Sequence, residues 1–204
     1  MEKFTTLTAT ACYYPRANVD TDLIIRVERC ARVEKEGLGR YAFEMVRFLP
    51  DGSDNPDFPL NRPGYRGAKI LVGNINFGCG SSREMAVWAI AGMGIRCVIA
   101  PSFGDIFFGN CFQNGLLPIV LPLDAAEKLG AQLDADPAKA KVTVDLERQK
   151  VITPSGEALG FEIEPLRKLA LLEGLDEIGL TQLRESEIAE YQRKDRVKRP
   201  WVYV

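Results

Sequence analysis

The residues best suited to chemistry lie in one short loop, which has the sequence Phe-Gly-Cys-Gly-Ser-Ser-Arg-Glu over residues 77–84. The apolar run at 69–77 predicts a buried strand before it, and the stretch at 83–93 predicts a helix after it. A strand-to-helix turn directs free backbone N–H groups and the positive end of the helix dipole at one small volume. Because two hydroxyls and a guanidinium join that volume, we predict a carboxylate or phosphate site.

A structural interpretation of the same loop is a capping box, in which Ser81 caps the helix and Glu84 reaches back to it. That spacing explains one serine and the glutamate, but it does not explain the flanking glycines, Ser82 or Arg83. Glycine permits a positive φ and a close approach of the backbone to a ligand. The loop matches neither the P-loop nor the dinucleotide-binding fingerprint. Both interpretations stay open at this point, and the pattern favours the anion site.

Composition narrows the classes of protein to which the chain can belong. Its 204 residues, 46% hydrophobic and 26% charged, are typical of a globular protein with one core. The net charge of -2 gives no support for nucleic-acid binding. Because no apolar run reaches transmembrane length and the first residues lack the layout of a signal peptide, we expect a cytoplasmic protein with no membrane partner.

Two residue types restrict the chemistry further. Histidine is absent, which excludes it as a general base, a metal ligand or a triad member. The cysteines are scattered and never form a Cys-x-x-Cys pair, which favours reduced, mostly buried thiols over a disulfide framework or a zinc site. They are Cys12, Cys30, Cys79, Cys97 and Cys111. We therefore assign no metal ligand to this chain.

The elements around the loop predict an α/β domain. Strand and helix patterns alternate through the middle of the chain as a β-α-β-α-β unit, so part of the sheet should be parallel. The predicted segments are strand 69–77, helix 83–93, strand 95–100, helix 104–114 and strand 117–121. We expect the two helices to end at Gly94 and Gly115, and we expect Ser102 and Asp105 to form an N-cap pair for the second.

The remaining segments extend this unit into a single domain spanning 1–204. The charged segment at about 26–48 predicts a short helix and a mobile connector, and the segment at about 50–67, rich in proline and aspartate, predicts a long mobile loop. Residues 165–204 predict a C-terminal helical extension. The other predicted strands and helices are 4–14, 124–134, 141–147, 148–153, 158–164, 165–173 and 181–195.

Five motifs occur in order along the chain. They are NVDTDLII at 18–25, NPDF-x-LN at 55–61, FGCGSSRE at 77–84, PSFGDIFFGNCFQNGLLPI at 101–119 and GL-x-x-IGLT at 174–181. Together they resemble the small, swivel-domain subunits of bacterial 3-isopropylmalate dehydratases, in the aconitase superfamily. The likeness runs from the MEKFT start to the RPW near the end, so it covers essentially the whole chain.

The resemblance implies a fold and a division of labour between two chains. The implied fold is an aconitase-type swivelling β/β/α domain with a partly parallel sheet flanked by helices. The implied assembly is a heterodimer or larger complex, in which a large subunit holds a [4Fe–4S] cluster and this chain binds no cofactor. The implied activity is that of a hydro-lyase on a small dicarboxylate, which interconverts 2-isopropylmalate and 3-isopropylmalate in leucine biosynthesis.

The resemblance also assigns roles to residues of this chain. Ser81 would act as the base on the substrate C–H, and Ser82 and Arg83 would hold a substrate carboxylate. Asp22 would orient these groups, although an Asx turn or a helix cap before Leu23 is the alternative. The assignment agrees with physical chemistry, because a serine works as a base only where N–H groups and a cation stabilise its alkoxide.

Two departures from the family pattern concern the substrate. Met85 follows the loop where the family usually has histidine. Residues 26–31 have the sequence Arg-Val-Glu-Arg-Cys-Ala in place of the usual Pro-Lys-Gln-Phe-Leu-Lys. Arg32, or alternatively Arg29, could take over a carboxylate contact there. Two alternatives therefore stay open, a related hydro-lyase for a citraconate-, methylmalate- or homoaconitate-type acid and a non-catalytic carboxylate-binding module.

Overall fold

A seven-stranded mixed sheet forms the centre of the computed structural model, which describes residues 1–203. The strands are β1 Thr6–Tyr13, β2 Ile70–Val72, β3 Cys97–Ala100, β4 Leu117–Val120, β5 Lys141–Asp145, β6 Lys150–Ile152 and β7 Ala158–Gly160. Their order in the sheet is β4-β3-β2-β1-β5-β6-β7. Strands β1 to β4 are parallel, and β5 to β7 continue from the other side of β1 in antiparallel pairing. The prediction of a partly parallel sheet is confirmed.

Helices connect the strands and extend the chain beyond the sheet. The α-helices are α1 Thr21–Ile24, α2 Val27–Cys30, α3 Glu44–Arg47, α4 Glu84–Gly92, α5 Asp105–Gln113, α6 Leu123–Ala135, α7 Pro165–Glu173, α8 Glu177–Gln182 and α9 Glu185–Lys198. Short 3₁₀ helices occupy Lys35–Tyr41, Pro59–Asn61, Pro63–Tyr65, Pro137–Lys139 and Pro200–Val202. Within residues 1–203, no helix is both long enough and apolar enough to cross a membrane.

Burial explains why the parallel half of the sheet is predictable. Every residue of β2 and β3 is buried, because a sheet covered by crossover helices needs apolar side chains at every position rather than at alternate ones. By contrast, only the central residue of β6 is buried, and no residue of β7 is. The continuous apolar runs therefore belong to the parallel strands, and the weaker patterns belong to the antiparallel edge.

The extents of three predicted elements differ from the structure, and one of them is the strand predicted at 158–164, which ends at Gly160 as β7. Strand β2 ends at Val72, so the predicted strand at 69–77 is wrong beyond that residue, and the chain continues as an irregular loop to α4. The single helix predicted at 181–195 is also wrong, since residues 183–184 separate α8 from α9. At the end of β2 and at residues 183–184, an apolar or helix-favouring composition continues past the point where the hydrogen-bonding pattern ends.

The helix ends test the capping predictions. Gly94 and Gly115 follow α4 and α5 with φ of 90° and 72°, as expected for glycines that end helices. The N-cap pair predicted for α5 is wrong, because Gly104 precedes the helix without a side-chain cap. The Ser102 hydroxyl instead accepts a hydrogen bond from the Asn76 N–H at 2.8 Å. This serine therefore supports the loop that leads to α4.

The two segments predicted as mobile contain short elements anchored to the core. Segment 26–48 contains α2, α3 and a 3₁₀ helix, and segment 50–67 contains two 3₁₀ turns. Leu38, Phe43 and Tyr65 are fully buried. These side chains fix both segments at several points, and the mobility of the residues between them stays a prediction.

The C-terminal extension makes one buried contact that holds its end. Asp195 of α9 is 7% exposed, and its carboxylate accepts hydrogen bonds from Arg199 Nε at 2.7 Å and from the Tyr203 hydroxyl at 2.9 Å. These hydrogen bonds keep the pKa of Asp195 below its usual value. The carboxylate thus joins the last helix to the 3₁₀ turn that follows it.

Candidate active site

The loop between β2 and α4 is shaped by glycines packed against α5. Gly78 and Gly80 have φ of 71° and 89°, a region that residues with side chains rarely adopt. A Cβ on Gly78 would lie 2.2 Å from the ring of Phe107, and a Cβ on Gly104 would lie 2.6 Å from the carbonyl oxygen of Gly78. Glycine at these positions therefore allows the loop backbone to lie directly on α5.

The NVDTD motif docks against this loop mainly through the backbone. The Gly78 N–H donates to the Val19 carbonyl oxygen at 2.7 Å, and the Thr21 N–H donates to the Cys79 carbonyl oxygen at 2.9 Å. The buried Thr21 hydroxyl donates to the Ser81 carbonyl oxygen at 3.0 Å. Two motifs that lie far apart in the chain are thereby held in one place.

Arg83 joins the two motifs through its side chain. Its Nη2 donates to Asp22 Oδ2 at 2.6 Å and to Ser81 Oγ at 3.2 Å, and its Nη1 donates to the Ile25 carbonyl oxygen at 3.2 Å. The hydrogen bond that Arg83 donates to Asp22, and then the negative charge of that carboxylate, raise the pKa of Arg83, so the guanidinium stays charged. Three of the five guanidinium N–H donors are engaged in this way, and the others remain for a ligand.

The two aspartates of the NVDTD motif have different partners. Asp20 Oδ1 accepts a hydrogen bond from the Leu23 N–H at 2.7 Å and so caps α1. Asp22 is the carboxylate that pairs with Arg83, and its side chain is 59% exposed. The helix-cap interpretation therefore applies to Asp20, and Asp22 is free to act on the guanidinium.

The capping-box interpretation of Ser81 and Glu84 is wrong. Helix α4 begins at Glu84, and Arg83 occupies the N-cap position without a side-chain hydrogen bond to the helix backbone. The Glu84 carboxylate instead accepts a hydrogen bond from Asn114 Nδ2 at 2.7 Å. The Ser81 hydroxyl therefore does not cap the start of α4.

The loop that carries the serine hydroxyls also carries backbone N–H groups without an acceptor. Among residues 1–203, the N–H groups of Ser81, Ser82, Glu84 and Met85 find no hydrogen-bond acceptor. Both serines are exposed. These donors lie at the positive end of the α4 dipole beside a charged guanidinium, an arrangement that stabilises an anion. The geometry fits an alkoxide on a serine, a bound carboxylate, or both.

The structure does not join Arg32 to this group. Arg32 is exposed in the turn after α2, and within the described residues no hydrogen bond or ion pair links it to Asp22 or Arg83. Arg29, the other arginine considered for a carboxylate contact, is bound to Glu44, with Nε–O distances of 3.0 and 3.1 Å. Met85 is partly buried against the core.

Sequence reasoning missed two supports of the site. One is Thr21, whose hydroxyl fixes the Ser81 carbonyl; its position between two aspartates was the available signal. The other is Asn114, whose Oδ1 accepts from Trp88 Nε1 at 2.8 Å while its Nδ2 donates to Glu84. Because Asn114 follows α5, these bonds hold the start of α4 against the next crossover helix, and only the packing of the helices makes them visible.

The thiols near the site are held in their neutral form. Burial is the main cause that raises the pKa of Cys79 and of Cys30, so neither is activated as a thiolate. All five cysteines are free, and Cys12, Cys97 and Cys111 are buried, as predicted. Within residues 1–203, no group of three or more histidine, cysteine, aspartate or glutamate side chains could hold a metal ion.

Comparisons with family models and with curated proteins point to the same family. A model of the aconitase C-terminal domain matches residues 1–124, and the LeuD_N model matches residues 127–165. The 3-isopropylmalate dehydratase small subunit of Paramagnetospirillum magneticum is 52% identical over 99% of this chain and 100% of its own length. That of Rhodospirillum centenum is 51% identical over 98% of each chain.

A solved structure supports the fold. The 3-isopropylmalate dehydratase LeuD of Methanocaldococcus jannaschii superposes with a TM-score of 0.66 at 24% identity, over 91% of this chain and 99% of its own. At that identity the likeness shows the fold alone, whereas the bacterial relatives carry the assignment across the full length. The chain therefore belongs to the family of 3-isopropylmalate dehydratase small subunits, in the aconitase superfamily.

Proposed function

We propose that this chain is the small subunit of a cytoplasmic hydro-lyase that interconverts 2-isopropylmalate and 3-isopropylmalate in leucine biosynthesis. The observation that carries the proposal is the sequence identity of about 50%, over almost the full length of the chain, to 3-isopropylmalate dehydratase small subunits. The cluster of Ser81, Arg83 and Asp22 supports it independently, because it offers a base and a cation to a carboxylate substrate.

In this proposal Ser81 moves the proton. Its alkoxide takes a proton from the substrate carbon, so that the C–H bond breaks and the serine O–H bond forms. On the neighbouring carbon the C–O bond breaks, a C=C bond forms, and the departing hydroxyl becomes water with a proton that a group of the partner chain would supply. In the reverse direction the hydroxyl returns that proton as water adds. The negative charge on Oγ is stabilised by the guanidinium of Arg83, 3.2 Å away, and by the free N–H groups at the start of α4.

Substrate carboxylate binding falls to the neighbouring side chains. The remaining N–H donors of Arg83, on Nε and Nη1, offer charge-assisted hydrogen bonds to a substrate carboxylate. The exposed Ser82 hydroxyl adds a further donor beside it. Asp22 holds the guanidinium in place, and Arg32 would approach the substrate only if its turn moved toward the loop.

The proposal also requires a second chain. A [4Fe–4S] cluster in the large subunit would supply Lewis-acid chemistry at the departing hydroxyl. We assign two steps to this chain, proton transfer and carboxylate binding.

Reconstitution tests the proposal. The chain is co-expressed with a family large subunit under anaerobic conditions and assayed with isopropylmalate, methylmalate and homoaconitate. We expect isopropylmalate turnover, and we expect Ser81→Ala to lower kcat by about 10²–10⁴-fold with little change in KM. Ser186→Ala, which removes an exposed hydroxyl from α9, is the matched control and should leave both constants unchanged.

Two results would contradict parts of this proposal. Full turnover by the Ser81→Ala complex would exclude Ser81 as the base. Turnover of methylmalate or homoaconitate in place of isopropylmalate would retain the reaction type and assign the chain to the related hydro-lyase considered above.

A further inference from the structure

A cleft lined by arginines lies at the opposite end of α4 from the Ser81 loop. Its volume is about 420 Å³, and Arg40, Arg47 and Arg66 line it together with Asp54. Gly92, the last residue of α4, also lines the cleft. Since α4 has nine residues, a helix of about 13 Å separates the cleft from the loop. The cleft is therefore distinct from the candidate active site.

The cleft carries excess positive charge. Among residues 1–203, Asp54 is the one acidic residue that lines it, against the three arginines. Asp54 pairs with Arg66 at 3.3 Å, and both side chains are at least half exposed. Arg40 and Arg47 form no ion pair with any carboxylate of the described residues. Two guanidinium groups are thus left to attract an anion.

Arg47 has a donor that lacks an acceptor. Its Nε is buried and forms no hydrogen bond within the described residues. A buried N–H without an acceptor is rare, because it gives up its hydrogen bond to water and gains nothing in return. Burial lowers the pKa of Arg47, and the negative charge of Asp54 opposes this shift only in part.

The backbone around Arg47 is held rigidly. Its carbonyl oxygen accepts hydrogen bonds from the Asn55 N–H at 2.9 Å and from Asn61 Nδ2 at 2.6 Å. Its Nη1 donates to the Gly39 carbonyl oxygen at 3.3 Å, and its guanidinium lies 5.0 Å from the ring centre of Phe48. The asparagines of the NPDF-x-LN motif, which the proposed reaction does not use, thus position this arginine.

We propose that this cleft binds a small anion that carries a phosphate or carboxylate group, held by Arg47 and Arg40. The Nη2 of Arg47, which has no acceptor within the described residues, supplies the donor for one anion oxygen, and the exposed side chain of Arg40 supplies a second charged contact. Met93, Ile95 and Leu60 line the same cleft. They offer an apolar surface to the carbon skeleton of a ligand larger than the free anion.

Arginine side-chain NMR on the full-length, ¹⁵N-labelled chain tests the proposal. Inorganic phosphate and malonate are titrated separately at constant ionic strength, and the Nε–H signal of Arg47 is followed. We expect a saturable shift with at least one anion. The anion with the lower Kd shows whether the cleft prefers a phosphate or a carboxylate group. Arg40→Gln should weaken that binding by about tenfold or more, as expected for loss of one charge-assisted contact.

Three further variants make the test specific. Arg47→Gln should abolish the saturable response, read at the backbone amides of Gly39 and Gly92. Arg193→Gln removes the same charge from exposed α9 and should leave the affinity unchanged. Arg83→Lys should also leave it unchanged, since Arg83 lies at the other end of α4. This last result separates the cleft from the proposed active site.

Several results would overturn the proposal. One is an Nε–H shift that rises linearly with the concentration of both anions and does not saturate. Another is an equal loss of affinity in Arg193→Gln and Arg40→Gln. If Arg47→Gln fails to fold, Arg40→Gln measured at the intact Arg47 signal decides the question. An unchanged affinity in that variant would then exclude a shared site.

Discussion

Replacing Asp22 with asparagine tests whether the Asp22–Arg83 contact matters for chemistry rather than for folding. The substitution keeps the shape of the side chain and removes its charge. The matched control is Asp20→Asn, which makes the same change two residues earlier on the same turn. Asp20 caps α1 through the Leu23 N–H, and asparagine caps helices as well as aspartate does.

The structure predicts a small cost in stability. The ion pair is short, at 2.6 Å, but the Asp22 side chain is 59% exposed, and water therefore screens most of the attraction. Pairs of this kind contribute about 0.2–1 kcal/mol to the free energy of unfolding. For a chain of this length, such a loss lowers Tm by at most about 2–4 °C.

The predicted effect on activity is larger. Asp22 and the Ile25 carbonyl oxygen fix the position from which Arg83 reaches Ser81. A displacement of about 1 Å at a reacting group can cost about 10²-fold in rate. We therefore expect Asp22→Asn to lower kcat/KM of the reconstituted enzyme by about 10–100-fold, or about 1.4–2.7 kcal/mol in transition-state free energy.

The assay combines anaerobic turnover of isopropylmalate by the two-subunit complex with thermal unfolding of the small subunit alone. The expected pattern is a large loss of kcat/KM with little change in Tm for Asp22→Asn, and no change in either quantity for Asp20→Asn. The reasoning is refuted if Asp22→Asn retains turnover within twofold of the wild type. It is equally refuted if both variants lose activity to the same extent.

Two further predictions concern the loop and the C-terminal end. Gly78→Ala should destabilise the fold by about 2 kcal/mol more than Gly52→Ala. Both glycines have positive φ, but a Cβ on Gly78 would lie against Phe107, whereas a Cβ on Gly52 would meet open space. Equal denaturant midpoints for the two variants would contradict this prediction. Asp195 has a lowered pKa, so its contribution to stability should be complete above about pH 4 and lost on acidification through that lowered pKa. Trp201 fluorescence against pH should therefore show a transition below about pH 4 that Asp195→Asn removes; a transition of equal size in the variant would exclude this carboxylate as its cause.

Local patterns in the sequence determined much of the fold because they record local physical requirements. Continuous apolar runs marked β3 and β4, since strands covered on both faces need no polar alternation. Gly94 and Gly115 marked helix ends, since only glycine adopts positive φ there at no steric cost. The loop with Ser81 and Arg83 was visible for the same reason, because its residue types suit an anion wherever the chain places them.

Only the tertiary structure decided which side chains meet. The sequence offered two aspartates near the start and left open which of them caps a helix; packing assigned Asp20 to α1 and Asp22 to Arg83. The sequence also predicted a capping box at Ser81, but in the packed structure Glu84 accepts a hydrogen bond from Asn114, which follows α5. The cleft at Arg47 had no local signature. Contacts between segments distant in the chain depend on how whole elements pack, and no spacing within a short motif encodes that packing.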